Sequence, residues 1–469
     1  MSLTKVSYSM IQGAPVNILD YGASTSSANN TVAIQAALDT GLDVYIPAGA
    51  FLCTDTLSMN TPYQTLFGNG WGSQITFTFA SSKEGLIMGV PTGATACEKQ
   101  TLRNVYLLGT ANVSKLLDIK GPECNILNNR IINNSNGDNI YLEDENTPTG
   151  VYVFGQRILN NFISGTSGTT GIAIRLGTNN QATEIAFNNI TNCAVFVYVN
   201  GATTSLNINN NIMQKATAGN AAIYINRDGS AMPCYNINIA NNYFEEIQFV
   251  VSVDDANVAN LTITQNYAFR NSVATRATST FYVGGNSASA ASQFLSITFN
   301  YVEDFGAFLD LSDEYSSRFV NVSGNSLESV TNYAIGTYAA NAYSYTYANP
   351  YTQGKLTSGS ILSGSAQRLE SKDGVLILPI NFPARSYATT LSFYYIPIGA
   401  NAVTVEFFSC APTSVSPTSL GSVTASTTTT ASITVNASAL GNLYYYAVAT
   451  FNNAGASGYL YPLTLTLQQ

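Results

Sequence analysis

A short pattern recurs between about Thr183 and Glu328 and limits what this chain can become: two apolar residues one step apart, then a bend built on asparagine. The copies are Leu206-x-Ile208 before Asn210-Asn211, Ile237-x-Ile239 before Asn241-Asn242, and Leu261-x-Ile263 before Gln265-Asn266. Leu295-x-Ile297 before Asn300 and Val320-x-Val322 before Gly324-Asn325 continue the series, and weaker copies stand upstream at Cys124-x-Ile126, Ile158 and Ile185-x-Phe187. The bends are spaced by about 28 residues, within the range of repeat architectures. Strict alternation makes each copy a strand with one face in and one face out. Asparagine suits the bend because it tolerates the left-handed conformation. A second β-branched or aromatic run follows each copy, as at Val195 to Val199, Ala222 to Ile225, Phe249 to Val253 and Phe308 to Leu311. Several strands per repeat with no room for a helix predict an all-β fold, a right-handed parallel β-helix whose coils stack at about 4.8 Å. Stacked asparagine amides can then hydrogen-bond from coil to coil.

Composition agrees and removes several chemistries. Charged residues are 10% of the 469, and 27 acids against 18 Lys plus Arg give a net charge of -9, which disfavours a phosphate-backbone partner. No nucleic acid is expected. Histidine is absent, so there is no Ser-His-Asp triad, no Cys-His pair and no histidine-ligated zinc. The six cysteines, Cys53, Cys97, Cys124, Cys193, Cys234 and Cys410, lack paired metal spacing and read as buried free thiols. Met1 to Val16 has no apolar core of signal-peptide length, and no run approaches a membrane span. Membrane insertion is not expected, and neither is a cofactor or metal.

Along the chain, residues 1–20 read as a polar lead-in. Asn30 stands at an N-cap position, Ile34, Ala37 and Leu38 follow at helical spacing, and Gly41 supplies a stop, predicting one short helix that caps the solenoid. The runs Val16-Asn17-Ile18-Leu19-Asp20-Tyr21-Gly22-Ala23, Ala33-Ile34-Gln35-Ala36-Ala37-Leu38, Val44-Tyr45-Ile46-Pro47-Ala48-Gly49 and Gly68-Asn69-Gly70 resemble the entry to the pectate-lyase-like β-helix of bacteriophage tailspikes and capsule depolymerases. The segment Thr4 to Ile11 resembles their lead-in. One departure is Ser24 to Asn30, where relatives carry an acidic glycine turn. The resemblance implies a homotrimer on a virion, in contact with other phage tail or baseplate proteins and cleaving host capsular or O-antigen polysaccharide at the cell surface.

The repeat fails after Ala339. The expected layout is a lead-in over 1–20, the helix over 21–340, a linker over 341–372 and a C-terminal β-sandwich, jelly-roll-like, over 373–469. That module suits trimerisation, capping or sugar contact.

Aligning the copies on the bend puts side chains from successive coils into columns. Three residues past it the column reads Gln214, Glu245, Phe269, Glu303, Glu328; one further on it reads Lys215, Glu246, Arg270, Asp304, Ser329. A second ridge holds Arg227 and Asp228, then Asp254 and Asp255, then Asp313 and Glu314. Glycosidic hydrolysis needs one carboxyl as acid and another as base or nucleophile, and adjacent or alternate coils supply roughly 5 or 10 Å separations. The candidate catalytic residues are Glu245, Glu246, Asp254, Asp255 and Glu303, which pairs with Glu328 or, across Phe269, with Glu245. Asp228, Arg227 and Arg270 would orient hydroxyls or an acidic sugar, and Tyr243 and Tyr301 would offer flat faces if they point outward. A solvent-facing column carries polar residues in any case, so the clustering is the signal. A polygalacturonase reading fails for want of its histidine, a lyase would need Arg, Lys or Tyr as base, and a spike that only grips glycan keeps the architecture without the chemistry. Trp71, between Gly70 and Gly72, reads either as a plug for the first coil or as a sugar platform.

Overall fold

The computed structural model describes residues 14–89, 97–143, 153–165, 171–178, 180–200, 203–215, 221–226, 234–254, 258–270, 279–283, 293–310, 318–328, 332–335, 355–365, 368–380, 387–397, 402–410, 418–427, 429–438, 444–452, 458–460 and 464–468. The chain divides into two units, one of Met1–Tyr315 with Gly324–Ile335 and one of Ser316–Ser323 with Gly336–Gln469.

The first unit is the parallel β-helix that the repeat predicts. Each coil carries three strands, as in Thr204–Asn209, Ile212–Gln214 and Ala221–Asn226, followed on the next coil by Cys234–Ala240, Tyr243–Glu245 and Phe249–Asp254. Every strand pairs in parallel with its counterpart one coil on, so that Leu206, Ile237, Leu261 and Leu295 fall in register. Three walls result, called first, second and third in chain order. Their inward residues stack by type, with Ile208, Ile239, Ile263 and Ile297 on the first wall, Met213, Phe244 and Val302 on the second, and Ile223, Val251 and Leu309 on the third, all fully buried. Burying one such side chain contributes about 1.5–3 kcal/mol, and the stack repeats it at each coil.

The asparagine pairs divide two tasks between them. The first residue takes the left-handed conformation and faces solvent, as at Asn128, Asn160, Asn210 and Asn241, with φ between 54° and 59°. The second is buried and forms the ladder. Asn161, Asn188, Asn211, Asn242, Asn266, Asn300 and Asn325 each accept, on Oδ1, the backbone N–H and the Nδ2 of the ladder asparagine one coil earlier, all at 2.9–3.1 Å. The same Nδ2 groups also donate to first-wall carbonyls, such as Asn211 to Ile185 at 2.9 Å. Buried polar groups are thereby satisfied within the stack.

The helix is Thr31–Leu38, and Gly41, at φ 72°, donates its N–H back to the Leu38 carbonyl. Asn30 stands at the N-cap position, as expected, but its side chain does not close the cap. Asn29 Oδ1 accepts from the Thr31 N–H at 2.9 Å, while the buried Asn30 instead accepts from the Ser24 N–H at 2.7 Å and closes the Ser24 to Asn30 loop. Cys53, Cys97, Cys124, Cys193 and Cys234 are buried free thiols, and burial pushes them up, Cys53, Cys124 and Cys193 to about 12. Among the described residues no helix is long and apolar enough to cross a membrane.

The second unit is a nine-stranded antiparallel sheet. Lys355–Ser365 pairs with Arg368–Ile380, so the sheet begins inside the stretch 341–372 expected to be a linker. Arg368–Ile380 also pairs with Tyr444–Asn452, which pairs with Ala402–Cys410. The short strand Gly458–Leu460 joins Arg368–Ile380 to Tyr387–Pro397, so strands read at sandwich spacing form one continuous hydrogen-bonded sheet.

Candidate functional site

The outward face of the second wall carries the carboxylate column. Register places Gln214, Glu245, Phe269, Glu303 and Glu328 side by side on successive coils, as the bend alignment predicts. At strand spacing this puts Glu303 and Glu328 about 4.8 Å apart and Glu245 and Glu303 about 9.6 Å apart. Two residues before each of Glu245, Phe269 and Glu303 stands a tyrosine, and Tyr243, Tyr267 and Tyr301 are also in register. All three point outward. Their rings stack nearly parallel, Tyr243 on Tyr267 at 5.3 Å and Tyr267 on Tyr301 at 4.9 Å. Stacking turns the facing ring surfaces of Tyr243 and Tyr301 onto Tyr267. The hydroxyls point to the acids: Tyr267 donates to Glu303 at 3.3 Å, and Tyr301 to Glu328 at 2.5 Å and to Glu303 at 3.4 Å. The Glu328 hydrogen bond, with some burial and the charge of Glu303, holds the Tyr301 hydroxyl well above the usual tyrosine range, so it stays a donor. Gln214 donates to Glu245 at 2.6 Å.

The other expected residues are distributed elsewhere. Glu246 sits in the bend after the second strand, left-handed at φ 54°, as do Lys215 and Asp304 on their own coils. Arg270 follows the second strand of its coil and is buried, and burial lowers its pKa. Asp254 ends the strand Phe249–Asp254, the third of its coil, whereas Glu245 ends the second, Tyr243–Glu245. Register sets Asn226 against Asp254, and Asp254 accepts from the Tyr224 hydroxyl at 2.9 Å. Arg227, Asp228 and Asp255 lie outside the described residues.

The third wall holds a charge cluster that the columns do not reveal. Asp118 is fully buried, 3.5 Å from Lys115 Nζ and 3.2 Å from Lys120 Nζ, and Lys115 also pairs with Glu143. Burial, reinforced by Glu143, pushes Asp118 up to about 6, the two lysines opposing; Glu143 is held low by the Lys115 contact although burial acts against it. Asp118 is thus enclosed, its side chain closed to solvent. Its signal in the sequence is an aspartate inside Leu116-Leu117-Asp118-Ile119. Beside the cluster lies an open cleft of about 480 Å³ lined by Asn112, Ser135, Asp138 and Arg175, with Arg175 Nε 2.5 Å from Asp138.

Towards the N-terminal coils the second wall becomes aromatic again. Register carries the outward column from Tyr301 back through Tyr267, Tyr243, Ile212, Asn189, Phe162 and Arg130 to Tyr106. Trp71 lies over this face and meets Phe162 at 5.9 Å between ring centres. It is 55% exposed, so it does not plug the solenoid interior.

Residues 15–221 match the family described as rhamnogalacturonase A/epimerase, pectate lyase-like. No curated protein sequence matches the chain. Among solved structures, the Agl-KA catalytic domain is similar at a TM-score of 0.50 and 13% identity, over 69% of this chain and 67% of that one. A mutant of DFA-IIIase from Arthrobacter chlorophenolicus A6, in complex with DFA-III, is similar at 0.50 and 11% identity, over 68% and 84%. The pre-mature bacteriophage phi29 gene product 12 is similar at 0.44 and 14% identity, over 67% and 50%. At these identities the property shared with the Agl-KA domain and DFA-IIIase is the fold.

Proposed function

We propose that this chain, whose first unit has a pectate-lyase-like parallel β-helix, is a bacteriophage tailspike depolymerase, an endo-glycosidase acting on bacterial capsular or O-antigen polysaccharide. The observation that carries the reading is the Glu303–Glu328 pair, in register on adjacent coils and tied by the Tyr301 hydroxyl. A separation near 5 Å is that of a retaining glycosidase. Glu328 attacks the anomeric carbon while Glu303, which takes up a proton as the substrate covers it, gives that proton to the departing glycosidic oxygen. Water then attacks the glycosyl ester, Glu303 takes its proton, and Glu328 leaves as carboxylate. Glu245, one further coil away across Phe269, extends the polar column that a chain of sugar hydroxyls would follow. The family match over the N-terminal coils and a fold shared with a DFA-III-bound enzyme support a carbohydrate substrate. Assembly as a homotrimer on the virion belongs to the same proposal.

The test is incubation with polysaccharide purified from the host bacterium. Hydrolysis releases reducing ends, and the first product keeps its anomeric configuration by NMR. Glu303→Gln and Glu328→Gln abolish release while retaining the fold by circular dichroism. Ultraviolet absorbance from an unsaturated sugar would replace this reading with a lyase, and tight binding without any cleavage would replace it with a receptor-binding spike. Full activity in both variants would move the site.

A further inference from the structure

Arg130 occupies an unusual position on the second wall. Its guanidinium carbon lies 4.8 Å from the Tyr106 ring, 5.0 Å from Trp71 and 5.5 Å from Phe162, and among the described residues it pairs with no carboxylate. Its Nε is buried and has no hydrogen-bond partner. Just before the adjoining bend, the exposed Arg103 rests 4.9 Å from the Phe67 ring and is likewise in no ion pair among those residues. Two unpaired arginines at one corner stand out in a chain with 27 acids and 18 bases. Cation–π contact fixes a guanidinium without satisfying its N–H groups, so the planar fork still lacks an acceptor. Beside it, the exposed surface of Trp71 supplies what the stacked tyrosines have largely lost, a free aromatic face for the apolar side of a sugar ring.

We propose that Trp71 and Arg130 form a distal subsite for an acidic sugar residue, the ring resting on Trp71 and its carboxylate held by Arg130. The inference rests on the reading that a glycan lies along the second wall, and it assigns that glycan to the uronate-containing class. Six register steps, roughly 29 Å at strand spacing, separate Arg130 from the Tyr301 coil. The subsite therefore holds a chain several sugars from the bond being cut. It is a substrate-positioning site and takes no part in the chemistry.

Trp71 is the only tryptophan, so intrinsic fluorescence reports on this subsite directly. The experiment titrates the whole protein with oligogalacturonides and, separately, with neutral gluco-oligosaccharides of the same length. Saturable quenching by the uronates, at least about tenfold tighter than by the neutral series and weakened by salt, is the expected result. Arg130→Gln should lose that preference, and Arg130→Lys, which keeps charge and stem without the fork, should lose most of it. Should Arg130→Gln fail to fold, the lysine variant carries the test. Equal response to both series, no response to either, or an unchanged preference in the variants overturns the subsite. Glu303→Gln run in parallel separates the two claims: binding retained with cleavage lost leaves both standing, whereas binding retained with cleavage unaffected by Glu303→Gln and Glu328→Gln overturns only the catalytic assignment.

Discussion

Asn211 donates both its backbone N–H and its side-chain amide to Oδ1 of Asn242, each at 3.0 Å, with the pair buried inside the bend. Replacing Asn211 with Ala keeps the backbone bond but removes the side-chain one, and it strips the Asn188 N–H and amide of their shared acceptor, leaving several buried polar groups unpaired. The expected cost is about 3–5 kcal/mol, read as a fall in the urea midpoint. Asn210→Ala, at the exposed left-handed position, should cost only about 1 kcal/mol. Equal effects would show that the ladder is not what locks the bend.

Phe299 occupies the left-handed position at φ 56° and is 65% exposed. A bulky side chain there is strained, and Phe299→Asn should raise stability by about 0.5–1 kcal/mol in chemical denaturation. Gly324, on the next coil at φ 68°, is the converse case: an added Cβ would stand 2.5 Å from the Phe299 ring. Gly324→Ala should destabilise by about 1–2 kcal/mol or more, through strain as well as contact.

Tyr301→Phe keeps the ring stacked on Tyr267 and deletes the hydroxyl that ties Glu328 to Glu303. Stability should stay within about 0.5 kcal/mol, whereas kcat/KM on the host polysaccharide should fall about 10- to 100-fold, the worth of one hydrogen bond to a charged group. Unchanged kinetics would detach the tyrosine from the chemistry.

Asp118 sets a pH dependence. Its native pKa of about 6 lies above its unfolded value, so between about pH 4 and 6 the folded state holds a proton that the unfolded chain has lost. Its contribution is therefore greatest at the acid end of that window and is lost as pH rises through about 6, amounting to at most about 3 kcal/mol. Below the window Glu143, held low by Lys115, acts in the opposite sense. Denaturation midpoints should therefore peak between about pH 4 and 5, and Asp118→Asn should flatten the descent towards pH 7. A descent of equal slope in the variant would place its origin elsewhere.

The carboxylate column was legible because the second strand starts at a constant distance from the asparagine bend, so counting three residues past it reproduces the register from Gln214 to Glu328. The third strand begins after connections of varying length, and counting fails there: Asp254 meets Asn226 rather than Asp228. Side-chain trajectories are hidden as well. Trp71 reaches across coils to Phe162, and Lys115 reaches along its wall to both Asp118 and Glu143, contacts that depend on rotamers more than on position. At the helix start the N-cap position of Asn30 was legible, but that its side chain turns to the Ser24 N–H while Asn29 accepts from Thr31 was not.

The ladder amides from Asn129 to Asn300 all face the same way, each giving protons to the asparagine one coil on and taking them from the coil before, and Asn325 receives the last of them. A complete turn of the solenoid inserted between two others would therefore find an acceptor on one side and a donor on the other, with no interface to redesign. Gene duplication can lengthen such a scaffold one rung at a time, and with it the outward wall.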